Sequence, residues 1–289
     1  MIETLNIGFS LPPPFDTPYM ERALIAGLLV AVPLGILGAW VVILGRAFFA
    51  HAVGVATFPG VVVGIGVPAL GPFVGSLLAA GLFTLAVTGV ERDHRVRGGA
   101  VTGLALSGAM ALGAVLLVSV FPTSTPIEAV LFGSLLAISD ADVLRSLVIA
   151  AVGLTGLAVI HARLSAAAFD RPWAAGAGGR PAVAEAALPA LLALVVVGAL
   201  PAVGSLLVSG LVLLPAATAR LLVQRLGPLL ALSALIGAAI TIAGLVAARA
   251  LDISPGAAIA TCGGLAFAMA ATAQAAAAAG GRRRVRALT

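Results

Sequence analysis

Long apolar runs fill the chain, and short charged stretches divide them. The runs cover about residues 21–44, 47–66, 68–89, 100–120, 143–162, 185–200, 202–223, 229–250 and 255–275. A helix needs roughly 20 apolar residues to cross the hydrocarbon of a bilayer. All the runs but one come close to that length. The run at 185–200 is short and meets its neighbour at Pro201, so the pattern predicts eight or nine spans. The expected fold class is all-α, a polytopic integral membrane helix bundle. Residues 1–19 form an N-terminal segment outside the membrane, 20–276 the transmembrane domain, and 277–289 a basic tail. Within 121–142, Pro122 and Pro126 precede a short apolar piece, 127–138, which is too short to span and reads as a re-entrant or interfacial helix.

Composition supports the same reading. Of 289 residues 61% are hydrophobic and 9% charged, with a mean hydropathy of +1.19. A water-soluble domain carries about a quarter charged residues. The net charge of +5 does not point to nucleic acid, because the basic residues, all of them Arg, sit in short loops between spans. Threading nine spans places thirteen of the sixteen Arg on one side: Arg46, Arg92, Arg95, Arg97, Arg163, Arg171, Arg180, Arg220, Arg225, Arg282, Arg283, Arg284 and Arg286. Arg22, Arg145 and Arg249 fall on the other. The positive-inside rule makes the Arg-rich side cytoplasmic, with the N-terminus out and the C-terminus in. The first 20 residues are polar and Pro-rich, so the first span is expected to serve as the insertion signal. The tail from Gly280 to Thr289 is expected to contact anionic lipid headgroups.

Candidate chemistry is sparse. Cys262 is the single cysteine and reads as a packed small residue. Ionisable groups inside hydrocarbon are costly and therefore functional candidates. His51, near the start of the second span, is the foremost: imidazole is a common ligand of zinc and similar ions, and the alternative is a histidine bonded to a backbone carbonyl. Thr57 and Pro59 follow as possible pathway residues, Pro59 because it frees a carbonyl. Pro33, Pro201 and Pro215 are further expected bends. His161 reads as an interface residue and His94 as solvated. Asp140 and Asp142 lie at the outer mouth, as vestibule carboxylates or, for Asp142, as the N-cap of the fifth span. Asp252, Ser254 and Pro255 read as the turn opening the last span. With no Lys in the chain there is no phosphate-binding GxxxxGK[ST] loop, so ATP hydrolysis is not expected of this chain.

In the long 163–184 loop, Asp170 reads as the N-cap of a short helix with Pro172 in its first turn. Such a helix presents Phe169 and Trp173 at i and i+4, an apolar face that docks on a partner or lies on the inner leaflet.

Six blocks, in consistent order, carry a resemblance that runs from about residue 20 to 270. They are Ala-Leu-Gly-Ala-Val-Leu-Leu (111–117), Leu-Phe-Gly-Ser-Leu-Leu-Ala-Ile-Ser-Asp-Ala-Asp (131–142), Ala168-Phe169-Asp170, Val-Gly-Ser-Leu-Leu-Val (203–208), Leu-Leu-Pro-Ala-Ala-Thr-Ala-Arg (213–220) and Ser-Pro-Gly-Ala-Ala-Ile (254–259). Together they resemble the membrane permeases of ABC importers for zinc, manganese and iron. The resemblance implies a homodimer around one pathway, two ATPase subunits beneath it and an extracellular metal-binding protein above. It also makes Phe169, Asp170, Trp173, Ala174 and Gly178 the segment coupled to the ATPase.

The second span departs from the family pattern Asp-Ala-x-Ser-His-Ala-x-x-Pro-Gly. A gapless match through Pro59-Gly60 sets His51 at the Asp position and Val55 at the His position; a four-residue gap would instead set His51 at the His position and Ala47 at the Asp, so either way one ligand of the pair is missing, and Gly99 replaces a further Asp. An imidazole in place of a carboxylate favours zinc over the harder manganese ion. The expected function is the permease of an ABC importer for divalent metal ions, zinc preferred, with no permanently bound cofactor. The alternative is a stand-alone secondary transporter, which would need a mid-span carboxylate, and no apolar run carries one at its middle.

Overall fold

A computed structural model describes residues 15–91, 99–120, 139–176, 181–203 and 205–286. The helices are α1 (Pro18–Ile43), α2 (Ala47–Val55), α3 (Phe58–Gly66), α4 (Gly71–Glu91), α5 (Gly99–Val115, running on as a π-helical turn Leu116–Val120), α6 (Asp140–Phe169), α7 (Arg171–Gly176), α8 (Pro181–Val203), α9 (Ser205–Leu222), α10 (Leu226–Leu251) and α11 (Pro255–Arg286). Eight helical stretches among the described residues are long and apolar enough to cross a membrane. A ninth, Leu207–Leu222, is apolar but shorter. The all-α bundle is therefore borne out, and the uncertain span proves to be the seventh run rather than the sixth. α8 begins at Pro181, well before residue 185, and carries Pro201 inside it.

Packing radiates from α1. Its core side chains Met20, Val30, Leu34, Leu37 and Trp40 are fully buried or nearly so. α10 lies antiparallel along it, with Gly27 facing Thr241, Ala31 facing Gly237 and Gly35 facing Ser233. The Ser233 hydroxyl donates to the Gly35 carbonyl at 2.6 Å. Small residues at every fourth position let two backbones come this close, which is how helices associate where water does not drive them together. Replacing Ser233 with Ala removes one buried bond, and the expected cost is about 1 kcal/mol of stability. Thermal unfolding in detergent, compared with Thr272→Ala on an exposed face, checks it.

α6 runs parallel to α1: Arg22 pairs with Asp140, Pro33 lies against Gly153, and Trp40 meets His161. α8 returns antiparallel along α6, with Ile149 against Gly198, Val195 against Gly153 and Leu191 against Gly156. Arg46, Glu91, Phe169, Glu185 and Arg225 therefore gather at one end of the bundle, and Arg22 and Asp140 at the other. The inner ring is formed by α1, the α2–α3 pair and α8, more than half buried. In α5, α6 and α11 only about a fifth of the apolar window is buried, as in helices that face lipid.

Three expectations change. The 163–184 segment is largely helical: α6 continues to Phe169, about two turns past the residue level with the last turn of α1. The basic tail is not a separate element, because α11 runs unbroken to Arg286. Of the four expected proline bends, Pro33, Pro201 and Pro215 are accommodated within continuous helices, and only Pro59 accompanies a break. The short apolar piece at 127–138, with Pro122 and Pro126, lies outside the described residues, as does His94.

Candidate transport path and coupling end

The second span is two helices. α2 ends at Val55 and α3 begins at Phe58. Pro59 has no N–H to give the preceding turn. Thr57 fills the gap by donating its hydroxyl to the Gly54 carbonyl at 2.6 Å, and is 2% exposed. Pro59 is buried beside it. A break in a buried helix exposes main-chain carbonyls where lipid cannot reach, the arrangement by which broken helices offer oxygen ligands to ions. Thr57 and Pro59 thus both sit at the buried break of the second span.

His51 lies in the second turn of α2, half-buried, toward the Arg-rich end. Its span packs against α4, α5, α8 and α9. No group of three or more His, Cys, Asp or Glu side chains comes together among the described residues. A cation at His51 would therefore take its other ligands from hydroxyls, main-chain carbonyls, water or a second chain.

Asp140 and Asp142 are not part of the same site. Arg22 and Ile43 stand 21 positions apart on α1, about 32 Å of helix rise, so the two carboxylates lie at the end of the bundle away from His51. Asp140 accepts from Arg22 Nε at 2.8 Å. Asp142 accepts from Arg145 Nη1 at 3.0 Å. Each carboxylate is thus matched by a guanidinium, which offsets its pull on passing cations. Asp142 is also not the N-cap of its helix. Ser139 is: its Oγ accepts from the Asp142 N–H at 3.3 Å, while the Asp142 carboxylate accepts from the Ser139 N–H at 3.1 Å. This reciprocal capping box places Asp142 at the third helical position.

His161 lies level with the last turn of α1, and α6 goes on for two more turns beyond it. His161 meets the buried Trp40 edge to face, with ring centroids 5.4 Å apart.

At the Arg-rich end Asp170 caps the six-residue α7, accepting from the Trp173 N–H at 2.9 Å, with Pro172 in the first turn as expected. Phe169 does not share that helix. It closes α6, and Asp170 between them is extended. Phe169 and Trp173 are nevertheless both bare, at 92% and 64% exposure. Ala174 turns inward and is buried. Gly178 lies outside the described residues. Arg171 Nη2 reaches Glu185 at 2.9 Å and ties α7 back to the start of α8. This tether joins residues far outside helical spacing, and no local pattern announces it. The same is true of the ion pair between Arg46 and Glu91, 45 positions apart, at 3.3 Å.

The sequence profile of the ABC 3 transport family matches residues 16–274. The chain is 31% identical to the manganese transport system membrane protein MntC of Halalkalibacterium halodurans, over 92% of this chain and 90% of that one. It is 34% identical to the chelated iron transport system membrane protein YfeC of Yersinia pestis, over 88% and 86%. Among solved structures, PsaBC from Streptococcus pneumoniae in complex with Fab superposes with a TM-score of 0.78 at 26% identity, covering 88% of this chain and 91% of that one. An apolar bundle with a broken second span, a bare aromatic pair at its Arg-rich end and a match along nearly its whole length therefore lead to one assignment: the chain belongs to the ABC 3 transport family and is the multi-pass membrane permease subunit of an ABC importer, whose ATP is hydrolysed by a separate subunit.

Proposed function

We propose that this permease carries a first-row divalent metal ion inward, with zinc preferred to manganese. The observation that carries the reading is His51, an imidazole on the broken and largely buried second span, where the family pattern has a carboxylate. Imidazole suits zinc, and manganese is better served by carboxylate oxygen. Relatives named for manganese and for chelated iron supply the competing cargoes. The Arg-rich end is cytoplasmic by the positive-inside rule, which sets the N-terminus outside and the C-terminus inside a cytoplasmic membrane. A homodimer with two copies around one pathway would bring two His51 side chains together. Residues 20–276 make up the permease domain, Asp140 and Asp142 its outer rim toward a metal-binding protein, and the basic tail its contact with lipid headgroups. The ATPase docks at Phe169, Asp170, Trp173, Ala174 and Gly178, where Phe169 and Trp173 offer the apolar anchors and Asp170 and Ala174 hold them in place.

Replacing His51 with Ala tests the cargo site. Zinc uptake by cells expressing the whole complex is expected to fall by on the order of tenfold or more, the change that about 1.4 kcal/mol of binding represents. His51→Asp is expected to shift preference from zinc toward manganese. Unchanged zinc accumulation in the Ala variant would remove His51 from the path.

A further inference from the structure

We infer that the Arg46–Glu91 ion pair is the clasp of the cytoplasmic end of the path, fastening α2 to α4 and parting when cargo passes inward. The inference builds on the importer reading and concerns how that path opens. The two halves of the broken span are held to α4 in different ways. α3 is held backbone to backbone. A Cβ on Gly60 would run into the Gly75 carbonyl, one on Gly75 into the Gly60 carbonyl, and one on Gly64 into Gly71. Contacts this close have two discrete arrangements, packed or apart, and no soft intermediate.

α2 is held by side chains. Phe49 stacks on Phe83 with centroids 5.9 Å apart and planes at 29°. Nearer the Arg-rich end, Arg46 Nη1 lies 3.3 Å from Glu91 Oε2, joining the N-cap residue of α2 to the last residue of α4. The two halves meet at Ala56-Thr57, where Pro59 has no N–H to bond back to the preceding turn and the Thr57 hydroxyl bonds the Gly54 carbonyl instead. The other end of α2 joins α1 through a tight turn at Gly45. Gly45 has φ +68° with open space about it, and Arg46 is set by the bond from its N–H to the Val41 carbonyl at 2.8 Å.

The pair is suited to a fastening that must open. Both side chains are about a quarter exposed. The attraction is stronger than on an open surface, yet water reaches both groups as they separate. A swing of α2 about Thr57 would draw Arg46 from Glu91 and uncover His51, which lies five residues in from Arg46. Arg46 and Glu91 are thus positioning residues for transport, and neither need touch the ion.

The test uses the complete complex of permease and ATPase in proteoliposomes. In a Cys262→Ser background, Arg46→Cys and Glu91→Cys are bridged with a reducible bifunctional thiol reagent. Bridging is expected to lower ATP-driven zinc uptake and ATP hydrolysis together, by about tenfold, since conformational steps limit such cycles, and reduction should restore both. Separately, Arg46→Glu and Glu91→Arg should each depress uptake per ATP hydrolysed, and the double reversal should recover most of it, the mark of a direct pair. A bridged complex that transports and hydrolyses at the unbridged rate overturns the clasp, as does a double reversal no better than either single one. Should the unbridged complex hydrolyse ATP yet accumulate none of zinc, manganese or ferrous iron, the cargo reading falls. Arrest of hydrolysis by the bridge still decides the clasp.

Discussion

Replacing Gly38 with Leu will leave almost no folded permease. A Cβ at this position runs into the Val212 carbonyl and comes within 3.3 Å of the Ala216 methyl, so the clash is with main chain and cannot be relieved by a rotamer. Overpacking a tight core costs about 1–3 kcal/mol and occasionally more. Here it would prise α9 from α1, the helix on which α6, α8 and α10 also rest. An overlap with main chain belongs to the costlier cases, and a loss of several kcal/mol takes up much of a folded protein's margin, roughly 5–15 kcal/mol in all. The yield of monodisperse protein in detergent is the measurement. Gly108→Leu is the control: nothing lies within 4 Å of its Cβ position on an exposed face of α5, and its yield should match wild type.

The second large effect concerns the partner. With Phe169 and Trp173 both replaced by Ala, the permease should fold normally and lose its ATPase. Both rings stand outside the core, and truncating an aromatic anchor at the centre of an interface typically costs about 2 kcal/mol or more. Two such losses should weaken docking by on the order of a hundredfold or more. Tagged permease would then recover little ATPase from membranes, while Phe73→Ala, exposed at the opposite end of the bundle, recovers the normal amount. Full recovery with the double variant would move the docking surface elsewhere.

How far the sequence was legible follows from what each feature depends on. Spans are readable because hydrocarbon demands length and apolarity of each helix separately, so 255–275 or 68–89 can be drawn without knowing any neighbour. The break at Pro59 was legible for a similar reason, since a missing N–H is a property of the residue. Pro33 and Pro215 carry the same chemistry and break nothing, because their helices are packed on several sides. The α7 cap at Asp170 was legible, since N-caps follow a local pattern. The same pattern misled at Asp142, where Ser139, three residues earlier, takes the cap. Where α6 ends depends on Phe169 and Asp170, which lie past the apolar run, so its length is not legible from hydropathy. Arg46 with Glu91 and Arg171 with Glu185 were illegible because only the bundle brings them together. The departure at His51 was plain in the sequence, and its consequence for the cargo is a matter of coordination chemistry.

Uptake by the purified permease with its ATPase in proteoliposomes, offered zinc, manganese or ferrous iron, is the most direct test of the importer and its cargo. Accumulation is expected to require both ATP and the ATPase subunit, with zinc taken up fastest. Accumulation by the permease alone, driven by an ion gradient without ATP, would contradict it.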